Sequence, residues 1–193
     1  MIKQLAASVV VTFILAGVAM AGPLTLDQTE HLFGDAPIDV ASAADEEGDY
    51  STALKLYRQL ADQGVAVAQN NLGFMYENGN GVPMDFAEAA SWYGRSAAQG
   101  DNHAQWRLCQ MYSEGKGVPR DYIRAYKWCD IAAVLQPQTY RCPGKSIIRC
   151  QMDASMGMGF AKDRRDDIAA EITPSQLAEA QRMAREWKPK PER

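Results

Sequence analysis

The side chains that could carry catalysis are few. Only two histidines, His31 and His103, occur in the 193 residues. A hydrolase needs a nucleophile beside a base that activates it. His31 lies in a stretch without clear period, and His103 follows Asp101 at the start of an apparent helix, so both read as surface histidines. There is no HExxH, GxSxG, CxxC or phosphate loop. Gly79 and Gly81 in ENGNGV imitate such a loop, but they recur as Gly115 and Gly117 and are therefore turn residues. Arg164, Arg165, Asp166 and Asp167 form a charge run that reads as the solvated face of a helix. No catalytic residue, metal site or cofactor is expected, and the chain reads as a non-enzyme.

The four cysteines call for a different chemistry. An even number in an exported chain reads as disulfides. Cys142 and Cys150 bracket CPGKSIIRC, whose Pro143-Gly144 favours a reversal. Cys109 and Cys129 fall on two helices argued below to be antiparallel, and could bond or remain small buried thiols. Three connectivities are formally open.

Export itself is read from the first twenty-one residues. Lys3 supplies a positive start, Leu5 to Val18 is uncharged, and Ala19-Met20-Ala21 places small residues where a signal peptidase reads. Cleavage before Gly22 is expected, with a periplasmic or secreted destination. The apolar run is shorter than the roughly 20 residues that span a bilayer, so no membrane association is expected afterwards. The formal charge is -4, and loss of Lys3 makes it more negative. That balance opposes nucleic acid binding, which needs a concentrated basic surface.

The strongest pattern is internal. Residues from Ala68, AQNNLGFMYENGNGVPMDFAEAASWYGRSA, repeat from Ala104 as AQWRLCQMYSEGKGVPRDYIRAYKWCDIAA, at an offset of 36 residues with thirteen identities. A partial copy, GDYSTALKLYRQLADQG, precedes them. Ala68, Leu72, Met75 and Tyr76 recur at spacings of three and four, one apolar stripe of a helix. Gly79 suits a left-handed cap and Pro83 stops the helix continuing. Asp85, like Asp49 and Asp121, is placed to N-cap a second helix that buries Ala89, Trp92, Tyr93 and Ala97. Gly64 and Gly100 end such helices. A lone pair of this kind leaves apolar faces uncovered, so pairs must stack into a solenoid.

The pattern from Ala68 to Gly100 resembles the Sel1-like repeat of the tetratricopeptide class. That resemblance implies an all-α fold, a right-handed solenoid of stacked antiparallel helix pairs, here with a partial repeat over 45–64 and full repeats over 65–100 and 101–135. The copy from Ala104 departs at Cys109, where the family usually has glycine, and at Cys129, where it usually has tyrosine. The paired loss is an argument that the two bond. The resemblance also brings an alternative activity, weak penicillin binding or β-lactamase-like hydrolysis as proposed for cysteine-rich relatives. Those relatives carry one bridge per repeat, and this chain does not.

The flanks are less regular. Residues 22–44 read as a poorly ordered lead into a degenerate first helix, and 136–162 as an insertion that holds the second cysteine pair and ends in the start of a helix. Residues 163–193 read as capping helices and a tail. Thr173-Pro174 with Gln176 there forms a helix start with a capping box.

Binding is placed by geometry. In stacked pairs the first helices line the concave surface, and about 200° of rotation from Leu72 leads to Asn70 and Phe74. The same count from Leu108 leads to Trp106 and Gln110, with Asn71 and Arg107 at the edge and His103 one turn earlier. Trp106 beside arginine and amides has the composition of a binding hot spot, unless it packs beneath the C-terminal helices. The expected partner is a protein or peptide, held by a monomer.

Overall fold

A computed structural model describes residues 37–134 and 147–190, with side chains described throughout except at 147–158. The leader, His31, Cys142 and the side chain of Cys150 lie outside the described residues, and with them the Cys142–Cys150 pairing. The described residues form eight α-helices: α1 (Pro37–Glu46), α2 (Tyr50–Asp62), α3 (Ala66–Asn78), α4 (Phe86–Ala98), α5 (Asn102–Glu114), α6 (Tyr122–Ala132), α7 (Ile147–Glu171) and α8 (Pro174–Glu186). Each helix through α7 packs on the one before it, which makes a helical stack with no strand among the described residues.

Local chemistry sets the boundaries. Asp85 begins α4 by accepting the amides of Ala87 and Glu88 at 2.8 and 3.0 Å. Asp49 and Asp121 do the same for α2 and α6, through Thr52 and Arg124. Each cap supplies an acceptor to amides that the helix leaves without one. Gly79 and Gly115 end α3 and α5 in the left-handed conformation. At the last helix, Thr173 and Gln176 close a reciprocal capping box in front of α8.

The apolar stripe of α3 is buried as its period requires: Ala68, Leu72 and Met75 are wholly inaccessible. They share a first core with Ala53, Leu56, Tyr57 and Leu60 of α2. Ala89, Ala90, Tyr93 and Ala97 of α4 form a second with Ala104, Leu108 and Met111 of α5. Buried glutamines fasten one unit to the next. Gln69 Nε2 donates to the Ala61 carbonyl at 3.1 Å, and the equivalent Gln105 donates to Ala97 at 3.3 Å. Both carbonyls lie in the last turn of a second helix, where backbone acceptors lose their helical partners.

The flanks depart from their sequence reading in two places. Residues 37–44, expected within a poorly ordered lead, belong to α1. Its small Ala41 and Ala44 let it lie against α2, and Tyr57 donates its hydroxyl to Ser42 Oγ at 3.2 Å. Helix α7 begins at Ile147, inside the expected insertion. Its Ala161 and Ile168 are fully buried with the same spacing as Ala104 and Met111, so α7 takes the place of another first helix. Among the described residues, α7 and α8 both dock on α6 rather than stacking mainly on each other.

That docking centres on a disulfide. Cys109 of α5 and Cys129 of α6 are bonded, their Cα atoms 5.2 Å apart. Ile168 of α7 and Ala180 of α8 complete this third core. The chain then turns back: Trp187 sets an edge against Trp128, with ring centroids 6.2 Å apart, and the Lys190 amide donates to the Ala98 carbonyl at 2.9 Å. Residues 187–190 thus strap α8 to α4 across α6.

Candidate binding face

Helices α3 and α5 hold all seven residues expected to face a partner, and the stack brings several of them together. Phe74 is 38% exposed, a large apolar ring at the surface. The Arg107 guanidinium lies over it, 6.0 Å from the ring centroid. Arg107 Nη1 also donates to Gln110 Oε1 at 3.4 Å. Asn70, one turn before Phe74, donates to Asn71 Oδ1 at 3.5 Å. Among the described residues its own Oδ1 is buried with no donor. A buried acceptor without a donor is costly, and because the atom has no accessible surface it belongs to the packing beneath the face and is not a point of contact.

Trp106 is placed differently from the exposed reading. It is half-buried and packs on the third core, against the region where α7 docks. The ring is too large and apolar to stay in water once α7 offers it a surface. His103 is half-buried and stands beside Asp101, whose carboxyl burial pushes up and whose bond from the Ala104 amide pulls down.

Glu77 completes the face and was missed from sequence. Its Oε1 lies 3.7 Å from Arg107 Nη1, and its Oε2 accepts the Tyr93 hydroxyl at 2.7 Å. Burial first, and then the Glu77 charge, push the Tyr93 hydroxyl far above its ordinary range. The carboxylate is thereby anchored from behind by a buried phenol and holds the guanidinium over Phe74. One unit later Arg164 Nε of α7 donates to Ser113 Oγ at 3.3 Å. Ser113 is the repeat equivalent of Glu77. These residues vary from repeat to repeat, so the matching that reveals the scaffold passes over them.

The arrangement offers an aromatic surface, a guanidinium and amides. No group of histidine, cysteine or acidic residues that could hold a metal occurs among the described residues. No described helix is long and apolar enough to cross a membrane.

Comparison with known proteins agrees with this architecture. The Sel1 repeat family model matches residues 44–65, 66–101 and 102–133. A crystal structure of a protective antigen from uropathogenic Escherichia coli, described as displaying an SLR fold, is similar at 26% identity. It aligns with a TM-score of 0.65 over 83% of this chain and 31% of its own. A Sel1 repeat protein from Oxalobacter formigenes is 31% identical over 54% of this chain and 28% of its own, with a TM-score of 0.42. The chain therefore spans about a third of the length of these structures. No curated protein matches. With three repeats in tandem and an all-helical stack that aligns with an SLR fold, this is a Sel1-like repeat protein.

Proposed function

We propose that the chain is an exported, monomeric adaptor that holds a peptide segment or protein domain against the concave face of α3 and α5, without catalysis. The observation that carries this reading is the exposed Phe74 ring with Arg107 lying over it. Aromatic and arginine side chains at the centre of a face are the residue types that dominate interface energies.

Export rests on the leader read from sequence, and a disulfide in a buried joint suits an oxidising compartment. The relative described as a protective antigen fits a chain that leaves the cytoplasm. The periplasm or the exterior is the expected location.

A photo-crosslinking residue placed at Phe74, with a control at the exposed Ser91 on α4, tests the face in cells that export the chain. A discrete adduct is expected at Phe74 and not at Ser91, and it should disappear when Arg107→Ala is added. Equal labelling at both positions would remove the assignment of the face.

A further inference from the structure

Cys109 and Cys129 occupy the repeat positions that Gly73 and Tyr93 hold one unit earlier. In the earlier unit the Tyr93 ring fills the space above Gly73, and a side chain on that glycine would stand only 2.8 Å from the ring. The phenol therefore welds α3 to α4 by packing and by its hydroxyl bond to Glu77. In the later unit the same joint, between α5 and α6, holds two small side chains joined by a bond. Two cysteines cannot replace the packing of a buried aromatic ring and its hydrogen bond, so in this joint the covalent link is what holds α5 to α6, and free thiols would leave it without either.

This joint is also the seat of the C-terminal helices. Ile168 of α7 and Ala180 of α8 share a core with both cysteines, and Ala169, Ile172 and Leu177 pack on it. Both cysteines are 0% exposed in the assembled stack. A donor sulfur must meet the attacking thiolate directly, so it has no approach once α7 and α8 are seated.

We infer that oxidation of Cys109 and Cys129 precedes and permits the docking of α7 and α8, so that the C-terminal end of the solenoid is assembled only in an oxidising compartment. The oxidant is a disulfide of the glutathione or dithiol-oxidase class. One cysteine thiolate attacks that disulfide, forming a mixed disulfide and expelling the first donor sulfur as a thiolate. The second cysteine thiolate then attacks the protein sulfur of the mixed disulfide and expels the second donor sulfur. The protein loses two protons and two electrons, and the donor disulfide gains both as two thiols. Docking of α7 and α8 then seals the bond from reductant. Because Arg164 and the packing of Trp106 depend on the same helices, that part of the concave face is completed in the same step.

Hydrogen exchange on the purified protein tests this, in a Cys142→Ser/Cys150→Ser background so that one pair alone changes state. Protein unfolded, reduced and refolded in reductant should lose about 100-fold protection at residues 161–186 relative to the oxidised form, the size of a typical disulfide contribution. Residues 50–98 should keep theirs. The Cys109→Gly/Cys129→Tyr variant rebuilds the tyrosine-filled joint and should recover protection in the same reducing buffer. Reductant added to folded, oxidised protein should leave the bond intact. Full protection of 161–186 in the reduced protein, no recovery in the glycine–tyrosine variant, or rapid reduction of the folded form would each overturn the inference.

Discussion

The Tyr93 ring packs directly against Gly73: a Cβ placed on that glycine would meet two of its ring carbons at 2.8 Å. The glycine is helical and its backbone needs no left-handed geometry, so its role is the close approach alone. Alanine normally stabilises a helix interior relative to glycine by about 1 kcal/mol. Here overpacking against a wholly buried ring reverses the sign. Gly73→Ala should lower stability by about 1–3 kcal/mol, whereas Gly94→Ala, whose Cβ meets nothing within 4 Å, should raise it by about 0.5–1 kcal/mol. Urea denaturation of the two variants provides the comparison.

The second loop glycine of each repeat couples neighbouring units. Gly117 has φ +71, and a Cβ on it would collide with the Phe86 carbonyl oxygen at the start of α4. Gly81 meets Tyr50 at the start of α2 in the same way. Gly117→Ala combines left-handed strain with a backbone collision and should cost about 3 kcal/mol or more. Gly48→Ala, with φ +80 and open space around it, should cost only about 1 kcal/mol. Thermal melts of both separate conformation from contact.

Alkaline stability should report on the buried phenols. Burial raises the Tyr57 hydroxyl to about 12; the bond to Ser42 opposes this and the nearby Asp45 charge adds to it. The unfolded residue titrates near 10, so between these values the folded state holds its proton more tightly. The resulting stabilisation, about 2–3 kcal/mol, is fully present below pH 10 and is lost as pH rises towards 12. Tyr93 shifts in the same direction. Unfolding free energies measured from pH 9 upwards should fall steeply past pH 10. Tyr57→Phe should flatten that fall while losing about 1 kcal/mol at neutral pH with the Ser42 bond.

Phe74 and Trp106 should separate binding from stability. Phe74 is partly exposed beneath Arg107 and belongs to none of the three buried cores, so Phe74→Ala should cost no more than about 1 kcal/mol of stability and abolish partner capture. Trp106 packs on the third core, so Trp106→Ala should cost about 2–3 kcal/mol whatever it does to binding. Calorimetry alongside crosslinking yield checks both. A Phe74→Ala chain that still captures its partner would show that the partner sits elsewhere.

The sequence by itself determined the repeating scaffold. Caps, turn glycines and apolar stripes are local or periodic, so Asp85, Gly79 and Leu72 announce their roles through their neighbours and through recurrence at the next unit. It also marked the Cys109–Cys129 pair, because two departures from one pattern fell on residues that can bond. The tertiary structure alone decided which variable side chains meet. Glu77 reaches Arg107 and Tyr93 only because α3, α4 and α5 converge. Trp106 is drawn onto the third core by helices from the far end of the chain. The first-helix role of α7 was hidden because the residues before it break the repeat spacing, and burial of Ala161 and Ile168 restores the register in space. Contacts between residues that neither recur nor lie close in sequence leave no periodic trace, and the face proposed to bind is made of such contacts.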